Sequence, residues 1–185
     1  MKEAIKEVLI WIPGKPVPQG RYRTSSFLVN LRALLASRGK VKPIIQTTQY
    51  TPKETTEFKK KVKISYMKDY KTMLEGDAFW VDVYSMYALG ASDVNKKTGK
   101  PTASGRRKLS GETMRTSKPD CDNLSKVIFD ALNKIAFTDD SHIVSTRHYK
   151  FYHREEGTIL HIRTLEVFPE AIIERANDLL ERIRS

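Results

Sequence analysis

Between Leu124 and Ile135 the apolar residues Leu124, Val127, Ile128, Ala131, Leu132 and Ile135 recur at intervals of three and four, which predicts a helix with one buried face. Asp122 or Asn123 falls at its N-cap, and Pro119 keeps the preceding chain extended. Asp120 and Asp122 lie two positions apart at this mouth, with one residue between them, and point the same way if the stretch is extended. Two unpaired carboxylates side by side repel unless one holds a proton or a cation sits between them. A hard divalent ion suits the pair, since magnesium is held by one or two carboxylates together with waters and substrate phosphates. Lys126 projects from the same face as Asp122, one turn on. There an ammonium can bind a phosphate oxygen, stabilise developing charge or orient an attacking water. Asp139 and Asp140 follow the helix, and a strand packed beside it would return an acidic group toward the first pair. The plainer alternative makes Asp122 a cap, Asp130 and Lys134 a surface pair, and Asp139–Asp140 a polar turn.

Charge narrows the partner. Lys and Arg number 33 against 22 acidic residues, a formal net charge of +11, and an excess this large in 185 residues points to a polyanion such as nucleic acid. No apolar run reaches the roughly 20 residues of a membrane span, and the opening MKEAIKEV has no signal-peptide core. Cys121 is the lone cysteine, which excludes an intrachain disulfide and suits a reducing cytoplasm. The four histidines do not make a zinc spacing with it.

Along the chain, Val8–Ile12 reads as a first strand ended by Pro13-Gly14. A proline-stiffened loop follows, carrying Lys15, Arg21 and Arg23 as candidate phosphate contacts. Residues 27–49 predict a short helix stopped by Gly39 and then irregular chain or strand. A helix of about four turns begins after Pro52, and Ala78–Leu89 reads as a central strand. Residues 90–117 are poor in large apolar groups and rich in glycine, serine and basic charge, which predicts a mobile inserted loop. Its basic residues, Arg106 and Arg107 among them, either clamp nucleic acid or form a passive connection. Ile143–Tyr152 and Thr158–Val167 are strand candidates joined by the hairpin signal Arg154-Glu155-Glu156-Gly157. Residues 169–184 carry a helical apolar stripe that packs on the sheet or on a second subunit. The order predicts one α+β domain over residues 1–185, a small mixed sheet with helices packed on it and a C-terminal helix.

The run Lys118-Pro119-Asp120-Cys121-Asp122-Asn123-Leu124-Ser125-Lys126, followed by Asp130-Ala131-Leu132 and Asp139-Asp140-Ser141, resembles the signature of the RusA family of Holliday-junction resolvases. Ile12-Pro13-Gly14-Lys15-Pro16-Val17-Pro18-Gln19-Gly20-Arg21 is similar to the family's opening after its first strand. The resemblance implies a small α+β homodimer that cuts four-way DNA junctions by paired nicks in recombination and repair, with magnesium, or manganese in its place. It implies that Asp120, Asp122 and Asp140 bind metal, that Asp139 is the adjacent acidic position, and that Lys126 is the catalytic lysine. Lys118 and Lys150 become further DNA contacts on the same ground. Two other readings are a junction-binding architectural protein that does not cleave, which needs the basic surface and not the carboxylates, and a different metal-dependent phosphoryl-transfer enzyme such as a nucleotidase, which needs the carboxylates and little of the basic excess.

Overall fold

A computed structural model describes residues 5–37, 40 and 42–184. The elements are β1 (Glu7–Pro13), β2 (Arg23–Leu28), α1 (Leu31–Ala36), β3 (Ile45–Tyr50), α2 (Lys53–Asp69), β4 (Phe79–Tyr87), α3 (Ala103–Leu109), α4 (Cys121–Leu132), β5 (Ile143–Tyr152), β6 (Gly157–Thr164) and α5 (Glu170–Arg184). The α+β class follows, with a mixed four-stranded sheet in the order β1-β6-β4-β5. Within it β6 runs antiparallel to both β1 and β4, while β4 and β5 are parallel.

Alternation sets which face is covered. On β1, Val8, Ile10 and Ile12 are buried and the residues between them exposed, the period of a strand with one dry face. Those residues meet Val81 and Val83 of β4 and Leu160 and Ile162 of β6, and α2 and α4 close the layer with Phe58, Val62, Tyr66, Val127, Ile128 and Leu132. At about 25 cal/mol per Å² of apolar surface removed from water, this layer is the main attraction holding α4 to the sheet. On the opposite face Asp82 is 2% exposed and clasped by two arginines. Arg147 donates to its two oxygens at 2.7 and 2.8 Å, and Arg163 donates at 2.9 Å.

Three sequence expectations change. The hairpin signal at 154–157 does not pair β5 with β6, because β4 lies between them and hydrogen-bonds to both. A turn signal is local, whereas the insertion of β4 is set by its buried residues on both faces, a property of the central strand. Second, residues 21–52 contain a two-stranded antiparallel ribbon, β2 with β3, joined through α1. Both strands are exposed along almost their whole length, so no hydrophobic period marks them. The expected helix there is confined to Leu31–Ala36, and Gly39, expected to stop it, lies outside the described residues.

The third concerns residues 90–117, which hold a 3₁₀ turn at Ala91–Asp93 and the helix α3 rather than unstructured chain alone. The organising group is Asp93, 3% exposed. Lys108 pairs with it at 2.7 Å, Ser104 donates at 3.0 Å and the Gly90 N–H at 3.2 Å. Those bonds, the Lys108 pair foremost, hold its carboxyl below the usual carboxylate range. Any side chain at Gly105 would start 2.3 Å from the Asp93 carbonyl oxygen, so the close approach of α3 needs glycine. A polar hub thus orders what apolar composition alone would not. The C-terminal helix forms as expected over Glu170–Arg184, but the sheet does not cover it, and none of its residues is buried. No described helix is long and apolar enough to cross a membrane.

Candidate active site

The helix α4 begins at Cys121, so its cap is Asp120 and not Asp122 or Asn123. Asp120 is extended, with φ −77° and ψ 150°, and makes no side-chain cap bond. Asp122 therefore sits inside the first turn, where a carboxylate is favoured by the helix dipole. From there Asp122, Ser125, Lys126 and Phe129 follow at helical spacing along one stripe. All four line an open cleft of about 630 Å³, together with Cys121, Asp140, Thr146 and His148.

The opposite wall comes from β5 and the turn before it. Asp139 accepts the Ser141 N–H at 3.0 Å and caps the 3₁₀ turn Asp140–His142. Hydrogen bonding from Ser141 holds the Asp139 carboxyl below its ordinary range. That cap leaves the next residue, Asp140, facing the cleft. The adjacent acids thus divide: one fixes the turn and the other lines the site. Asp122, Lys126 and Asp140 are brought together, whereas Asp120 is exposed at the rim and is not part of the cleft wall.

Beneath the cleft lies a group that the sequence reading missed. His148 is bonded through both ring nitrogens: Nδ1 is 2.7 Å from Ser125 Oγ on α4, and Nε2 is 2.9 Å from Ser85 Oγ on β4. A neutral imidazole has one donor and one acceptor nitrogen, and both are satisfied here. Burial, aided by the charge of Lys150, pushes its pKa down to about 4, so the ring is neutral at pH 7. The signal was present as the strand alternation Thr146, His148, Lys150, facing a helix whose Ser125 stands one turn from Asp122.

The approach to Asp120 is pinned by cations. Lys150 donates to the carbonyls of Ser117 and Pro119 at 2.9 and 2.8 Å, which places this expected DNA contact against the protein's own backbone. Arg115, also missed, donates to the Lys118 carbonyl at 3.2 Å and stacks 3.6 Å from the Tyr87 ring centre. Three successive carbonyls, at residues 117–119, are therefore held just before the motif. Lys15 and Lys118 line one small hollow with Arg115, and Arg21 and Arg23 line another at the foot of the ribbon. Arg106 donates to the Pro101 carbonyl, and Arg107 lies 3.6 Å from Glu112. None of these seven expected contacts lines the carboxylate cleft itself.

Among the described residues no three His, Cys, Asp or Glu side chains gather closely enough to hold an ion by themselves. Two carboxylates in an open cleft beside an ammonium still fit a hard divalent ion that completes its shell with water and a substrate phosphate.

A protein-family model described as endodeoxyribonuclease RusA matches residues 13–163. The match spans the cleft, the ribbon and the four-stranded sheet from the end of β1 into β6, and stops before α5. Among curated proteins none matches the chain.

Proposed function

The chain belongs to the RusA family of Holliday-junction-resolving endodeoxyribonucleases, and from that premise we propose that it resolves four-way DNA junctions by paired nicks, using magnesium, as a homodimer in cytoplasmic DNA recombination and repair. The observation that carries the reading is the cleft that gathers Asp122, Lys126 and Asp140 from α4 and the turn before β5. The whole chain acts as one catalytic domain. Asp122 and Asp140 would hold the ion, Asp120 at the rim would be a further carboxylate for it, and manganese would stand in for magnesium. When bound, the ion supplies positive charge at the scissile phosphate and acidifies the attacking water.

The chain's own residues do the rest. Lys126 sets its ammonium against a phosphate oxygen, where charge grows in the transition state. Asp139 holds the turn that aims Asp140. His148 and Ser125 fix the first turns of α4 on the sheet, so that Asp122 and Lys126 keep their spacing. Arg21, Arg23, Lys15, Lys118, Arg106 and Arg107 supply positive charge around the cleft for the phosphates of the junction arms. Two opposed nicks require two sites, and a two-fold dimer supplies them.

The test is cleavage of a labelled four-way junction and of a linear duplex of the same sequence, in magnesium and in EDTA. Symmetric paired nicks in the junction alone, abolished by EDTA, are the expected result. Tight junction binding with no nick in magnesium or manganese would overturn it in favour of an architectural protein.

A further inference from the structure

The ribbon formed by β2 and β3 has no counterpart in the core and needs an explanation of its own. Among the described residues its strands pair only with each other, from Arg23 opposite Tyr50 to Leu28 opposite Ile45. Neither strand has a buried residue. A two-stranded ribbon standing alone is marginal in water and adds little to the stability of the body. Its composition is one-sided: residues 21–52 contain six lysines and arginines and not one aspartate or glutamate, while the rest of the chain mixes both signs. A solvated surface kept only for solubility carries interspersed charges, whereas these thirty-two residues carry charge of one sign, the nearest acid being Glu54 of α2 at the ribbon's foot.

The root of the ribbon is fixed beside the cleft. The Gln19 N–H donates to the Asn123 carbonyl at 2.8 Å, next to Asp122 on α4, and the Gly20 N–H donates to Thr55 Oγ1 at 3.2 Å. Arg21 and Arg23 follow at once and line a hollow with Pro52 and Thr55 at the start of α2. The strands then present hydroxyl and amide side chains, as in the facing pairs Ser26–Thr47 and Thr24–Gln49, the neutral donors that bond phosphate oxygens. Charge, donors and a root at the catalytic helix have one occupant in common, a duplex whose backbone runs outward from the cleft.

We propose that the β2–β3 ribbon is a backbone grip that lies along one duplex arm of the branched substrate and sets the orientation of that arm relative to the cleft. The proposal rests on the reading of branched DNA as substrate and adds the surface that holds it. The exposed apolar groups Phe27 and Ile45 would also suit a protein partner, but a field without acids selects a polyanion.

The experiment measures affinity for a four-way junction and for a linear duplex in EDTA, across a range of salt, for the native protein and for the triple variant Arg32→Gln, Lys40→Gln, Lys42→Gln. All three side chains are exposed, so the variant keeps the native melting curve. It binds the junction at least tenfold more weakly at about 0.1 M salt, and its salt slope drops by about two to three, as expected for three lost phosphate contacts. Trimming the junction arms to a few base pairs removes the difference between the two proteins. Equal affinity and equal slope would overturn the proposal. So would a loss of binding that accompanies dissociation of the dimer in sedimentation, since the ribbon would then be a subunit contact. Should the native protein bind linear and branched DNA alike in EDTA and nick neither in magnesium, the substrate reading fails while the variant still reports on the ribbon through the linear duplex.

Discussion

Nδ1 of His148 lies 2.7 Å from Ser125 Oγ, and this contact joins the edge strand β5 to the helix that carries Asp122 and Lys126. With Nε2 held by Ser85, the imidazole bridges β4, β5 and α4 at the floor of the cleft. With the ring neutral, one nitrogen donates to its serine and the other accepts from its own, since each hydroxyl can take either role.

The pH dependence of stability follows. An unfolded histidine titrates near 6.5, whereas burial puts His148 at about 4 in the fold. Between those values the unfolded chain binds more protons, so stability falls as the pH drops from about 6.5 to about 4, then levels off for this group. The share of His148 is about 3 kcal/mol at most. Denaturant melts of the native protein and His148→Gln, compared across that window, should show a shallower decline in the variant. Parallel curves would mean the ring is not held neutral.

Ser125→Ala removes one partner of the buried ring and leaves a nitrogen unpaired, a loss of about 1–3 kcal/mol. If the bridge also sets the spacing of Asp122 and Lys126, the nicking rate falls about tenfold while junction affinity stays within about twofold. Ser125→Thr, which keeps the hydroxyl, recovers most of that rate. Full activity in a destabilised Ser125→Ala protein would make the contact structural only.

Asp93 governs whether residues 90–117 stay ordered. In Asp93→Ala, Lys108, Ser104 and the Gly90 N–H lose their common acceptor. Trypsin should then cut at Arg106 and Arg107 at least about tenfold faster than in the native protein, since local opening controls proteolysis. An unchanged cutting rate would show that α3 is held by something other than this carboxylate.

Asp82→Ala leaves the guanidinium groups of Arg147 and Arg163 facing each other with no anion between them. Both arginines are partly exposed, which reduces the cost of a fully buried break to about 2 kcal/mol, or about 4–8 °C in melting temperature for a chain of this size. Calorimetry reads it directly, and a shift below about 1 °C would contradict the arrangement.

What could be read from residues alone tracks where apolar side chains repeat. α4 was legible because Leu124, Val127, Ile128, Ala131 and Leu132 must all face the sheet, and β1 because Val8, Ile10 and Ile12 alternate with exposed positions. The start of α4 was placed late because Asp120 caps it through backbone geometry without a side-chain bond. The β2–β3 ribbon was missed as a pair because it buries neither face, so Thr, Ser and Gln leave no period behind. The order of α3 was missed because Asp93 organises it by hydrogen bonds, which composition does not reveal. The meeting of Asp122, Lys126 and Asp140 in one cleft depends on β5 lying beside α4, a contact between elements that local patterns suggest without fixing.

The most direct test of the catalytic assignment is the nicking rate of Asp122→Asn on a four-way junction, measured at saturating protein in magnesium beside junction affinity in EDTA. Loss of at least about a hundredfold in rate, with affinity within about threefold of native, is expected if this carboxylate holds the ion and not the fold. A variant that nicks within about tenfold of the native rate would contradict the assignment and return Asp122 to the role of a first-turn acid on a helix.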